Sequence, residues 1–195
     1  MEKDHILSVF RSTGALLEGH FQLTSGLHSN QYFQCAKVLQ YPEHCESLCG
    51  DIAGAFAEAR VDVVVAPAMG GIVVGQEVGR RLRARTMFTE RKEGMMQLRR
   101  GFEVRPGERV LVCEDVVTTG GSVEEVIRIV HQAGGRVVGV GYIVDRSAGR
   151  VRFSVDGGGS QYAVLQMDVI AYKPEECPLC KQGTPAVKPG SRGNT

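Results

Sequence analysis

Two adjacent carboxylates, Glu114 and Asp115, stand between an apolar run and a cluster of hydroxyls and glycines. Val110 to Cys113 are consecutive apolar residues, the pattern of a strand buried on both faces of a parallel sheet. Thr118, Thr119, Gly120, Gly121 and Ser122 follow, and then Val123, Val126, Ile127 and Val130 recur at helical spacing. Strand, short polar loop and helix are predicted in that order. Such a loop is an anion cradle: the glycines let backbone N–H groups approach a ligand, the hydroxyls add donors, and the helix start points unpaired N–H groups at the same spot. Ser122 and Glu125 also have capping-box spacing, so a helix cap is expected there as well.

Two carboxylates beside a phosphate repel it unless they serve another part of the ligand. Ribose hydroxyls donate to carboxylates, and Mg²⁺ would offset the remaining charge, so a sugar phosphate fits better than bare phosphate. The plainer alternative is that the acids end a strand at its solvent edge.

These groups need a scaffold. Residues 4 to 17 read as a helix, Phe21 to Leu23 and Tyr32 to Val38 as strand material around a turn at residues 24–29, and Pro42 to about Ala59 as a second helix. Val61 to Ala66 is a central strand ending in Pro67-Ala68-Met69-Gly70-Gly71. That second glycine corner suits either phosphate or close helix packing. Thr86 to Thr89 is a short strand, and Glu90 to Gly101 is a basic, glycine-bounded segment, either a lid or a solvated loop. Arg136 to Val144 is another strand, closed by Asp145-Arg146. Residues 151–155 and 161–170 suggest a hairpin around the glycines at 157–159. The expected class is α/β, a mostly parallel sheet flanked by helices, with the site at the switch point of strand order. One domain is expected over 1–181, with a hood from 1–60 and 151–181 on a core of 61–150, and a flexible tail from 182 to 195.

Composition excludes other classes. The 195 residues are 43% hydrophobic, enough for one buried core, and 23 basic against 22 acidic residues leave no global field for nucleic acid or membrane. The N-terminus has an amphipathic pattern with Ile6, Val9 and Phe10, without a signal or spanning segment, so a cytoplasmic protein with reduced cysteines is expected.

The run from Val110 to Ser122 resembles the phosphoribosyl-pyrophosphate signature of type I phosphoribosyltransferases. The resemblance narrows with Leu23 to Phe33, Glu90-Arg91-Lys92-Glu93 and Asp145-Arg146, which are similar to segments of the orotate phosphoribosyltransferases. It implies the type I fold. It also implies that Glu114, Asp115, Val116, Val117, Thr118, Thr119, Gly120, Gly121 and Ser122 bind phosphoribosyl pyrophosphate. Thr118 and Arg146 would contact orotate, and Tyr32 and Phe33 would pack on the pyrimidine. Lys92, Arg91 and Asp115 would be catalytic, in a reaction with an oxocarbenium-like transition state. Mg²⁺ would be held mainly by the substrate, and a homodimer would share the lid across subunits. Lysines of better-studied members would fall here at Thr24, Gly70 and Met95, and the lid histidine at Gln97; Arg99 and Arg100 are candidate substitutes.

An arginine fork suits the carboxylate of orotate. The alternatives are that Arg146 pairs with Asp145 or faces solvent. A purine phosphoribosyltransferase and a non-catalytic sensor of phosphoribosyl pyrophosphate are the competing functions; neutral charge without a basic recognition helix speaks against the sensor. Cys177-Pro178-Leu179-Cys180 has the spacing of half a zinc site, and Cys45 and Cys49 lie at i, i+4. The expectation is that the fold does not unite these four thiols. His28 and His44 read as surface or turn histidines.

Overall fold

Alternate residues of one apolar strand serve two different layers. Val63 and Val65 pack with one set of buried side chains, Val64 and Ala66 with another, because successive side chains of a strand point to opposite faces. A strand used on both sides must lie inside a sheet covered by helices on both faces.

The computed structural model describes residues 1–23 and 26–189. The first elements are α1 (Lys3–Ser12), β1 (Leu16–Gln22), β2 (His28–Phe33), α2 (Ala36–Leu39) and α3 (Pro42–Ala55). The central region continues with β3 (Val63–Pro67), α4 (Gly70–Leu82), β4 (Arg85–Lys92), β5 (Met95–Leu98), β6 (Arg109–Val117), α5 (Gly121–Gln132) and β7 (Arg136–Asp145). It closes with β8 (Ser160–Gln166), β9 (Ala171–Tyr172) and α6 (Pro178–Lys181). A six-stranded sheet has the order β5-β4-β3-β6-β7-β8, parallel except for the β4–β5 pair. The chain moves from β3 outward to β4 and then returns to β6 on the other side of β3, so the switch point lies between β3 and β6. A three-stranded antiparallel sheet, β1-β2-β9, forms the hood.

Helix α4 sits unusually close to the sheet. A Cβ added at Gly75 would stand 3.0 Å from Cβ of Ala66 on β3. A Cβ at Gly71, in the corner itself, would stand 3.2 Å from the same atom, so glycine there serves close packing.

Four expectations change. The chain turns into β1 at Leu16, because α1 ends at Ser12 with Thr13 as its C-cap. The region expected to be strand from Tyr32 to Val38 ends as strand at Phe33 and becomes α2. Residues 151–155 and 161–170 do not form a hairpin: β8 pairs in parallel with β7, and residues 151–155 contribute no strand. Part of the expected hood thus belongs to the main sheet. The stretch expected as tail begins as a docked segment, with N–H of Val187 donating to the His20 carbonyl and N–H of Gln22 donating to the Val187 carbonyl, both at 2.8 Å. Thr24, Ser25 and residues 190–195 lie outside the described residues, and with them the rest of that tail.

Candidate active site

Strand β6 carries the acidic pair further than its apolar core suggests, through to Val117, before the loop at Thr118 and Thr119. Gly120 then precedes α5 with φ of 81°, in the left-handed region. A Cβ there would meet the Phe153 ring and Val151 at 2.8 Å, so only glycine satisfies both the turn and the packing. Helix α5 has no side-chain cap, and Glu125 is engaged elsewhere, so the expected Ser122–Glu125 capping box does not form. The first-turn N–H groups of α5 remain available to an anion.

Around that helix start is a cleft of about 250 Å³ lined by Arg91, Glu114, residues 116–123 and Glu125. A larger cavity of about 750 Å³ adjoins it, lined by Leu23, Leu27, Tyr32, Phe33, Cys35, Asp115, Thr118, Thr119, Arg146 and Arg150 among others. Val116, Thr118 and Thr119 line both. One opening is polar and ringed by N–H groups and hydroxyls; the other has aromatic and aliphatic walls. A ligand with a phosphate at one end and a planar ring at the other would span them.

The acids behave differently. Glu114 is buried, and its carboxyl is pushed up to about 9 by that burial and by the neighbouring Asp115. It accepts a hydrogen bond from the Asp115 N–H at 3.0 Å. Asp115 faces the larger cavity and abuts the other glycine corner: a Cβ at Gly70 would collide with its carboxylate. The Asp115 carboxylate therefore occupies the space that a side chain at position 70 would need. Oxygen donors of this kind suit Mg²⁺.

Arg146 is the most telling side chain. Its neighbour Asp145 is 1% exposed and does not pair with it; Asp145 accepts the Ser147 N–H at 2.7 Å, the Ser147 hydroxyl at 2.6 Å and the Gly149 N–H at 2.8 Å. That network fixes the turn after β7, and the Arg146 N–H donates to the Val117 carbonyl at 2.9 Å. The guanidinium lines the larger cavity, and its Nε is one of two buried side-chain polar atoms, among the described residues, that have no hydrogen-bond partner. Burial lowers its pKa. A half-buried guanidinium whose buried Nε has no partner is costly unless an anion completes it.

The basic segment after β4 is a β-hairpin, not an irregular loop. Lys92 faces Met95 across a two-residue turn whose Glu93 and Gly94 both have positive φ, 53° and 81°, the backbone of a tight twisted hairpin. Arg91 donates to the two carboxylate oxygens of Glu125 on α5 at 2.7 and 3.0 Å, and to the Gly94 carbonyl at 2.9 Å. Arg91 thus stands at the rim of the cradle, whereas Lys92 is exposed at the hairpin end and is not among the residues lining it. Arg99 and Arg100 pair with Glu90. Sequence reasoning missed Leu23, Leu27 and Cys35 as cavity walls and also Arg150, which pairs with Asp168 at 3.1 Å. Their proximity depends on hood contacts that no local pattern encodes.

The fold and the cradle define a class. The family model described as "phosphoribosyl transferase domain" matches residues 36–156. Among solved structures, the orotate phosphoribosyltransferase of Aeropyrum pernix aligns with a TM-score of 0.67 at 24% identity, over 83% of this chain and 93% of that one. The adenine phosphoribosyltransferase of Rhodothermus marinus also aligns at 0.67, with 22% identity over 83% of this chain and 99% of that one. The fold is therefore shared by transferases for different bases. Sequence likeness is more selective. An orotate phosphoribosyltransferase of Chlorobium phaeobacteroides is 60% identical over 100% of this chain and 98% of its own length. One from Pelotomaculum thermopropionicum is 57% identical over 98% and 99%. The chain belongs to the phosphoribosyltransferase family, in its orotate phosphoribosyltransferase branch.

Proposed function

We propose that this protein transfers the 5-phosphoribosyl group of phosphoribosyl pyrophosphate to N1 of orotate, giving orotidine 5′-phosphate and pyrophosphate in pyrimidine biosynthesis. The observation that carries the choice of base is the unpaired Arg146 Nε in a cavity that shares Val116, Thr118 and Thr119 with the phosphate cradle. Purine bases carry no carboxylate to complete that guanidinium; orotate does.

In this reading the 5′-phosphate sits on the N–H groups and hydroxyls of residues 118–122. Glu114 and Asp115 receive the ribose hydroxyls, and Val116 and Val117 supply backbone. Thr118 stands where phosphoribosyl and base meet. Tyr32 and Phe33 flank the pyrimidine, and Arg146 grips its carboxylate. The N1–C1′ bond forms as the bond from C1′ to the pyrophosphate oxygen breaks, the N1 proton of orotate passing to the departing pyrophosphate or to solvent, and positive charge develops on the ribose ring near Asp115. Negative charge builds on the leaving pyrophosphate, where Lys92 and Arg91 on a closed hairpin would stabilise it. Mg²⁺, held mainly by the pyrophosphate, supplies further charge neutralisation when bound.

The lid is proposed to act between subunits of a homodimer. The exposed hairpin tip with Lys92 and Met95, which does not line its own cradle, supports action of Lys92 at a neighbouring site. Among the described residues no helix is long and apolar enough to cross a membrane, and a cytoplasmic setting is part of the proposal. Isothermal titration with orotate, adenine, guanine and xanthine tests the choice of base. Heat with orotate alone supports it; heat with a purine alone would replace it by a purine transferase, and binding without turnover by a sensor.

A further inference from the structure

Behind the base cavity, four side chains from opposite ends of the sequence converge. His20 on β1, His28 at the start of β2, and Cys177 and Cys180 around α6 each offer one ligand atom, all within 4.8 Å of one another. Cys45 and Cys49, the other thiol pair of the sequence, are not part of this cluster. Cys45 and Cys49 pack in the core, with their sulfurs 3.9 Å apart. His28, expected at the surface, is 7% exposed, and His20 is 4% exposed.

Hydrogen bonding fixes the tautomer of His20. Its Nδ1 lies 2.7 Å from the Thr184 carbonyl, which can only accept, so Nδ1 carries the proton and Nε2 turns a lone pair toward the cluster. A ring nitrogen oriented by a backbone carbonyl behind it is the arrangement of a metal-ligating histidine. That one lone pair faces His28 Nδ1 at 2.8 Å, Cys177 Sγ at 3.5 Å and Cys180 Sγ at 3.7 Å, more partners than it can accept from. Cys180 Sγ also stands 3.2 Å from His28 Nδ1. Zn–N bonds of about 2.05 Å and Zn–S bonds of about 2.3 Å make a tetrahedron with edges of about 3.4 Å between nitrogens and about 3.6 Å between nitrogen and sulfur. The nitrogen–sulfur contacts at 3.5, 3.7 and 3.2 Å already match within a few tenths of an ångström, the widest separation in the set, up to 4.8 Å, has to close by about 1 Å, and the two rings need to open by about half an ångström.

Beyond this cluster the segment is held to β1 by hydrogen bonds at Thr184 and Val187. Between residues 173 and 189 the only buried residue is Cys177, so no apolar core holds this stretch to the hood. We propose that His20 Nε2, His28 Nδ1 and the thiolates of Cys177 and Cys180 bind one Zn²⁺ in a closed structural site. Binding releases two thiol protons, and with two neutral imidazoles the site has no net charge. Four protein ligands leave no open position, so the ion staples and does not catalyse. It joins the C-terminal segment to both strands that flank the loop bearing Leu23 and Leu27, two walls of the base cavity.

The test is metal analysis of the full chain, produced without a histidine tag and purified without chelator. About one zinc per chain is expected, and the Cys177→Ser/Cys180→Ser variant should drop below about a tenth of that, while Cys45→Ser/Cys49→Ser keeps it. Replacing zinc by Co²⁺ in the wild type should give tetrahedral ligand-field bands with sulfur-to-cobalt charge transfer, a readout that holds even if the double variant fails to fold. A metal-free wild type that binds Co²⁺ octahedrally or not at all overturns the proposal. So does zinc retained by the Cys177→Ser/Cys180→Ser variant. So also does a disulfide in the purified protein that leaves only four of the six thiols reactive on unfolding and that peptide mass mapping places between Cys177 and Cys180.

Discussion

Arg146 and Glu114 show how single groups are tuned by what surrounds them. Arg146 is held by backbone at Val117 and by the turn that Asp145 organises, so its fork is aimed before ligand arrives. Charged hydrogen bonds of this kind contribute about 1.5–3 kcal/mol, equivalent to about tenfold to a hundredfold in affinity. Glu114 poses the opposite problem. Its carboxyl titrates at about 9 in the folded chain against an ordinary 4.5, so the folded protein keeps a proton that the unfolded chain has lost. Its contribution is most favourable below about pH 4.5 and weakens as pH rises toward about 9. Glu114→Gln keeps the neutral form at every pH. Urea unfolding of the ligand-free protein should therefore lose less stability between about pH 5 and about pH 9 in the variant than in wild type; parallel slopes would mean Glu114 is ionised in the fold.

At the scale of elements, the proposed function assigns catalysis to the β4–β5 hairpin and phosphoribosyl binding to the strand-loop-helix at β6–α5. Lys92→Ala should lower kcat by about 10²–10³-fold, as for loss of one group that stabilises transition-state charge, with orotate affinity by titration within about twofold of wild type. Equal losses in both would assign Lys92 to binding. The cradle was legible in the sequence because it is local: an apolar strand, acids, hydroxyls and a helix lie within a few turns of chain. The hairpin was legible only as a basic segment, since the ion pair of Arg91 with Glu125 spans 34 positions. Residues 151–170 were misread because a glycine cluster between alternating residues resembles a hairpin turn, and strand direction is set by pairing with β7, not by local pattern. Likewise His20 and His28 look unremarkable until a segment more than 140 residues away closes on them.

Across the whole molecule, the helices are seated tightly enough that glycines become structural. A Cβ at Gly141 on β7 would collide with Ile52 on α3, and one at Gly139 with Phe56. Gly141→Ala should destabilise the fold by about 1–3 kcal/mol in urea unfolding, as overpacking does; no loss would mean the α3 layer shifts freely. The proposed sharing of the lid has its own signature. Mixing the separately impaired Lys92→Ala and Arg146→Ala proteins, with subunit exchange, should restore about a quarter of wild-type activity, because half the dimers carry one intact composite site. Activity no greater than the sum of the parents would place each lid over its own subunit's site.

The central claim is that a phosphoribosyl cradle and an arginine selecting an acidic pyrimidine line adjoining cavities. It is tested most directly by following orotate loss spectrophotometrically with phosphoribosyl pyrophosphate and Mg²⁺, for wild type and Arg146→Ala. Wild type should consume orotate and leave adenine, guanine and xanthine unchanged. The variant should lose about tenfold to a hundredfold in kcat/KM for orotate, with KM for phosphoribosyl pyrophosphate within about twofold. Turnover of a purine by wild type, or orotate kinetics unchanged by Arg146→Ala, would contradict the account.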